Sequence, residues 1–481
     1  MVVNTMAQDA PLFIQGALED ATATDDTYNT GGTISINGFN MQVPKNMLVQ
    51  FPAVYVPWKD FVEDKDSMIG YETNVIGNFI NGQPIAAQIL TYEFFEGMSS
   101  GFIESIDFAD GSMKISNGPT LRISDPNAVF SVGFTEAPFF TADDESPSIS
   151  SFSGFPMCIP RNATDPLCPA TNRPFQGSGT FSVSDPLTMA PFLPGDFVTF
   201  MGIRRGDEVI CFSIVAQNVE ITTLQDLVYI RVELGLVGIS NFNPNVELRE
   251  SRITGYTSNP AATVAIYAMD YDPCTGAVTD RIVAAIGLRG GRNEQNKFEW
   301  RSDIFSGYSR EYRIVAEING VPKTRPSKNG FLAGTYAQPV NVWVHGEQAI
   351  PGTPPPPYDF SQMPWITQGV GVDELGNLWG PLDPFPQSGL LIDAPACGAV
   401  SAATFQGSEI DTNWVPSATL LNGTLPLNST SIDTNDTITT PPTTENPQVK
   451  KRNVHGRWMT RARVDSNTLP QDNPNLVQVN A

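Results

Sequence analysis

From Gly31 onward, apolar and polar residues alternate in short runs. Gly, Asn, Asp or Pro breaks the pattern about every ten residues, the punctuation of strands joined by tight turns. A period of two is the period of a strand with one buried face. No long segment carries the 3.6-residue spacing of an amphipathic helix. The most apolar run, Leu227 to Ile239, is interrupted by Arg231 and Glu233 and reads as a strand. No run approaches the ~18 apolar residues a membrane-crossing helix needs. The pattern predicts an all-β protein without a membrane span.

Internal repetition divides this pattern. Gly32-Thr-Ile-Ser-Ile-Asn-Gly is echoed by Gly111-Ser-Met-Lys-Ile-Ser-Asn-Gly, and Ile123-Ser-Asp-Pro126 by Val183-Ser-Asp-Pro186. Thr73-Asn-Val-Ile-Gly77, leading through Asn81-Gly82 to a second apolar run, is echoed by Thr199-Phe-Met-Gly202 leading through Arg205-Gly206-Asp207. Two related small β-barrels or curled sheets are expected, over 31–135 and 175–244, joined by an irregular connection at 136–174. The acidic residues 1–30 read as a flexible lead. Residues 245–348 hold six strand-like runs, with Trp300 as a core aromatic and Tyr312 as a corner tyrosine. That spacing predicts an immunoglobulin- or fibronectin-like sandwich. A Pro/Gly-rich packing segment (349–397) and a disordered Ser/Thr/Asn-rich tail (398–481) complete the chain.

Charge narrows the partners. Lys and Arg number 28 against 51 Asp and Glu, a net charge of −23. Phosphate recognition needs clustered cations, so nucleic acid is not an expected partner. The basic stretch KKRNVHGRWMTRAR (450–463) is the exception, and its Lys451-Arg452 step is a candidate processing site.

Cysteines and sequons suggest a compartment. Cys158 and Cys168 bracket a turn-rich loop that holds the sequon Asn162-Ala163-Thr164. A short disulfide loop displaying a glycan fits a secreted chain. Further sequons begin at Asn422, Asn428 and Asn435. An extracellular or cell-surface location is expected, although residues 1–26 show neither the basic region nor the apolar core of a signal peptide. With five cysteines, at least one thiol is left without an intramolecular partner, and the state of Cys211, Cys274 and Cys397 stays open.

The chemistry is sparse. Two histidines, His345 and His455, leave little room for an intramolecular triad or a histidine-rich metal site. Gly97-Met-Ser99-Ser-Gly101 has the spelling of a nucleophile elbow, but GFIESIDFAD follows and alternates like a strand where an elbow needs a helix. Asp270 and Asp272, with Asp280 beyond Gly276, form a candidate calcium loop, because alternating carboxylates can converge on one ion. Asp143, Asp144, Glu145 and Glu299 are the candidate carboxylates for a glycosidase-type pair. Trp58, Trp365, Trp379 and Trp414 are candidates for stacking on sugar rings.

The stretch 70–125 resembles a small β-barrel repeat of bacterial envelope proteins, through the Gly77 turn, the alternating strand after it and Gly101-Phe-Ile-Glu-Ser-Ile-Asp-Phe-Ala-Asp-Gly111. The whole chain, with its sequons and dibasic tail, looks like secreted proteins of fungi. Neither resemblance implies a catalytic residue. The expected role is a non-catalytic extracellular or cell-surface structural or binding protein, with cell-wall polysaccharide as the candidate ligand. A secreted carbohydrate-active enzyme built on a carboxylate pair is the first alternative. A self-assembling surface subunit is the second, because open strand edges can pair between copies.

Overall fold

The computed structural model is nearly all β and contains two closed small barrels. It describes residues 9–91, 98–137, 139–173, 185–224, 227–239, 251–289, 296–302, 307–344, 352, 355–373, 375–388 and 396–397.

The first barrel uses β1 (Ala10–Ala23), β2 (Gly32–Ile36), β3 (Phe39–Val43), β4 (Leu48–Gln50), β5 (Tyr55–Pro57), β6 (Glu72–Ile80) and β7 (Gln83–Thr91), with helix α1 (Trp58–Glu63) between β5 and β6. The strands run in the order β3-β2-β1-β6-β7, and a parallel pairing of Gln42 with Ile85 closes β3 onto β7. β4 lies parallel on β7 and carries β5. Alternation along β2 sends Ile34 and Ile36 inward and Thr33 and Ser35 outward. Asn37-Gly38 and Asn81-Gly82 turn the two hairpins with φ of 52°, 73°, 50° and 81°. Such positive values are why these turns favour Asn-Gly.

The second barrel repeats this plan with β8 (Met98–Asp107), β9 (Ser112–Ile115), β10 (Thr120–Ile123), β11 (Ile149–Ser151), β12 (Met157–Cys158), β13 (Ala190–Pro191), β14 (Phe197–Arg205) and β15 (Glu208–Ala216). Its ring is β10-β9-β8-β14-β15, closed by parallel pairing of β10 on β15. β11 lies parallel on β15 as β4 does on β7. The echoed segments therefore occupy equivalent places. Gly32–Gly38 and Gly111–Gly118 form the second strand of each ring and its turn, and the Gly77 and Gly202 segments form the fourth.

Three expectations are corrected here. The lead is not flexible from Ala10 onward: β1 is a central strand, hydrogen-bonded to both β2 and β6. The barrels do not divide as 31–135 and 175–244. The first ring ends at Thr91, and the second takes three strands from 98–123 and two from 197–216. The irregular connection is an insertion inside the second ring, between β10 and β14. The cause is topological: the closing pairs are parallel and join strands far apart in sequence, which local alternation does not reveal.

Two further sheets follow. One has the order β20-β17-β16-β26 and the other contains β19-β18-β21-β22 with β25 also on β21. The strands are β16 (Ile230–Ile239), β17 (Ser251–Thr257), β18 (Thr263–Tyr271), β19 (Val278–Gly287), β20 (Lys297–Ser302), β21 (Glu311–Ile318), β22 (Val321–Pro322), the short pair β23 (Arg325–Pro326) and β24 (Leu332–Ala333), β25 (Thr335–Pro339) and β26 (Asn341–Val344). Val237, Ile253 and Trp300 from the first sheet share one core with Val264, Ile314 and Tyr336 from the second. Buried Tyr312 accepts a hydrogen bond from Ser309 N–H at 3.4 Å, the contact expected of a corner tyrosine.

Residues 355–373 and 375–388 form a strap across the first barrel, with α2 (Pro364–Thr367), β27 (Gly371–Val372) and β28 (Leu378–Trp379). Buried Asn78 of β6 fastens it. Its Nδ2 donates to the carbonyls of Tyr358 (2.9 Å) and Pro386 (2.8 Å), and its Oδ1 accepts Tyr358 N–H at 2.8 Å. The tail from 398, with Asn422, Asn428, Asn435, Lys451 and Arg452, lies outside the described residues.

Candidate functional site

The Cys158–Cys168 loop forms as expected, with the disulfide closed across 10 residues. The base of the loop is rigid. Arg161 pairs with Asp165 at 2.8 Å and donates to the carbonyl of Val129 at 2.9 Å. Burial pushes the Asp165 carboxyl up, but bonds from Arg161 N–H, Leu167 N–H and the Arg161 guanidinium outweigh it and hold it below the usual range. The tip is solvent-facing: Asn162, Ala163 and Thr164 are all exposed. Asn162 Oδ1 accepts both Thr164 N–H (2.9 Å) and Thr164 Oγ1–H (3.1 Å), so the Asn–Thr pair is held face to face on the surface.

A second disulfide, Cys274–Cys397, spans 123 residues. The sequence left this pairing open. It ties the turn after β18 to Cys397, which follows the strap in sequence. The leftover thiol is Cys211, buried inside the second barrel, where desolvation pushes its pKa up.

The candidate calcium loop does not assemble. Cross-strand register pairs Asp270 with Thr279 and Met269 with Asp280, so Asp270 and Asp280 point to opposite faces of the sheet. Asp270 is held in a two-point pair with Arg281 (2.6 and 3.0 Å), and Asp280 pairs with Arg313 at 2.5 Å. Asp272 caps its own turn, accepting Thr275 N–H (2.7 Å), Thr275 Oγ1–H (2.8 Å) and Cys274 N–H (3.0 Å). Among the described residues, no three His, Cys, Asp or Glu side chains are grouped to hold a metal. The Asp-Pro-Cys-Thr-Gly turn instead docks the strap. A Cβ on Gly276 would strike the backbone of Val372, so only glycine lets the two segments touch.

The other carboxylate candidates are also engaged. Asp143 caps a turn through Glu145 N–H (3.0 Å) and Ser146 N–H (2.9 Å). Glu299 is gripped by Arg252 (2.9 Å), Arg289 (2.6 Å) and Arg301 (2.5 Å). Its side chain is 3 % exposed. Desolvation pushes the Glu299 carboxyl up, but Arg301, Arg252 and Arg289 outweigh it and hold it below its ordinary value of 4.5. A depressed folded-state pKa gives stability that is complete above 4.5 and disappears as pH falls through the folded value. Glu299→Gln is therefore expected to unfold at lower urea than the parent at neutral pH. The two curves should converge in acid, where the parent carboxyl is itself protonated. A gap that stays constant with pH would show that the arginines contribute nothing through charge.

Of the tryptophans, Trp58 (1 % exposed) and Trp379 (2 %) are core residues, so neither offers a ring face to a sugar. Trp58 stacks on Phe61 and donates Nε1–H to Thr22 O at 3.2 Å. Trp379 donates Nε1–H to buried Asp373 at 3.0 Å. Trp414 lies outside the described residues.

The concave site that sequence reasoning missed is a cavity of about 40 Å³ where the first barrel, the strap and the residue before β21 meet. Gln50, Tyr55 and Gln88 come from the barrel, Trp365 and Trp379 from the strap, and Arg310 from the residue before β21. The Arg310 guanidinium carbon sits 4.0 Å from the Tyr55 ring centre and 5.0 Å from that of Tyr271. Desolvation works against its charge, but Tyr271 and Glu311 outweigh it and raise its pKa. The segment SREYRIVAEI signalled only a strand. Nothing in it marked Arg310 as 3 % exposed. In comparison with known proteins, no family model matches the chain and no curated protein matches it, so its residues alone carry the functional reading.

Proposed function

We propose that the chain is a non-catalytic extracellular or cell-surface glycoprotein that serves as a structural or binding scaffold. One observation carries this reading: the sequon Asn162-Ala163-Thr164 stands exposed at the tip of a rigid loop closed by a disulfide. Disulfides persist in oxidising compartments, and a sequon is usable only where the surface presents it. The second disulfide agrees with the same compartment. The engagement of Asp143 and Glu299 in caps and arginine pairs favours structural roles for the carboxylates that a hydrolase would have used.

Peptide mapping of the protein from its own cells tests this. Enzymatic removal of N-glycans is expected to convert Asn162 to Asp. Cys158–Cys168 and Cys274–Cys397 peptides should be recovered linked, and Cys211 should be alkylated only after denaturation. An unmodified Asn162 in a fully reduced chain would refute the proposal.

A further inference from the structure

The Arg310 cavity presents hydrogen-bond donors that no described residue satisfies. Nε and Nη2 of Arg310, one edge of the guanidinium, have no hydrogen-bond partner among the described residues, although the residue is 3 % exposed. The nearest carboxylate oxygen, Oε2 of Glu311, is 3.8 Å from Nε, beyond hydrogen-bonding distance, and already accepts the Tyr271 hydroxyl. Gln88 lines the same cavity, and its buried Nε2 also has no partner among the described residues. Leaving such donors unmet in a low-dielectric interior is costly, and guanidinium donors act in their own plane. A cavity of about 40 Å³ has room for a few waters or one small organic group.

We infer that this cavity binds a carboxylate. The Nε/Nη2 edge of Arg310 takes its two oxygens side by side, the geometry for which a guanidinium is best suited. Gln88 Nε2 donates a further bond, and Met47, Ile89 and Ile366 receive a short alkyl group. The adjacent Glu311 carboxylate, whose own Oε1 has no partner among the described residues, repels any anion, and it repels a dianion such as phosphate more than a monoanionic carboxylate. The same chemistry is offered by a free short-chain acid and by the carboxylate of a uronic acid. This inference stands apart from the compartment proposed above, because it rests on the cavity alone.

Thermal unfolding of the full chain in sodium acetate, or in sodium glucuronate, against sodium chloride at equal ionic strength tests it. The midpoint is expected to rise and saturate with acetate. A rise with glucuronate alone would assign the carboxylate to a sugar. Arg310→Met should lose the response. Gln88→Leu, which keeps the arginine, should need about tenfold more ligand, the equivalent of one hydrogen bond. No rise over chloride with either acid overturns the inference. So does an equal response in Gln88→Leu, whatever Arg310→Met does.

Discussion

Replacing Cys274 and Cys397 together by serine is expected to lower stability by about 4 kcal/mol, because the bridge closes a loop of more than 100 residues in the unfolded chain. Its sequence separation is 123 residues. The loss should be local before it is global. Gly276, in the same turn as Cys274, touches the backbone of Val372 in the strap, and the strap segment on either side is closed by Val370 N–H to Trp379 O at 2.9 Å and Asp373 N–H to Asn377 O at 2.9 Å. Amide exchange at Val370 and Asp373 should therefore quicken in the double variant under native conditions, with the paired amides of β6 and β7 unchanged. Because Trp365, Ile366 and Trp379 wall the Arg310 cavity, the same opening should bring Arg310 toward water. An unchanged urea midpoint would refute the tie.

Alanine at Gly77 or at Gly202 is expected to cost about 3 kcal/mol each. Both glycines sit at a register shift in the long hairpin of their barrel, between Ile76 and Gly77 in one and between Met201 and Gly202 in the other. At each, a Cβ would run into the carbonyl oxygen of the facing strand, that of Ile85 or Ile210. A bulge bends the hairpin sharply enough to close a five-stranded ring, and glycine lets the backbones approach that closely. Gly287 is the control: a Cβ there meets nothing within 4 Å, so Gly287→Ala should change stability by a few tenths of a kcal/mol at most. Equal midpoints for all three variants would remove the bulge argument. A large loss at Gly77 without one at Gly202 would deny that the two hairpins are equivalent.

The same residues show what the sequence carries and what it conceals. Turn chemistry is local, so Asn37-Gly38 and Asn81-Gly82 announce their hairpins, and SRITGYT is recovered residue for residue as β17. The echo of Gly77 in Gly202 reports a repeated barrel because the bulge demands glycine both times. Strand β1 was missed because only Leu12, Leu18 and Ala21 of its 14 residues are buried, leaving a run that reads as acidic and polar. Ring closure, the Cys274–Cys397 pairing and the Arg310 cavity depend on contacts between distant segments, and no window of sequence contains both sides of any of them. The carboxylate series Asp270, Asp272 and Asp280 was legible as a pattern. Two of the three stand on opposite faces of their sheet, which is a matter of register.

The placement of Cys211 bears on how the cystines find their partners. Its strand completes the ring of the second barrel, whose last strand ends at Ala216, although Tyr229 and Phe331 also pack into its core. Cys274 is synthesised later and Cys397 later still. On a chain emerging from its N-terminus, closure of the ring would bury the Cys211 thiol before Cys274 or Cys397 exists, and desolvation there disfavours the thiolate that attacks a disulfide. The barrel thus acts as a protecting group: order of synthesis separates Cys211 from Cys274 and Cys397, while burial inside the ring separates it from Cys158 and Cys168, which precede it in the chain.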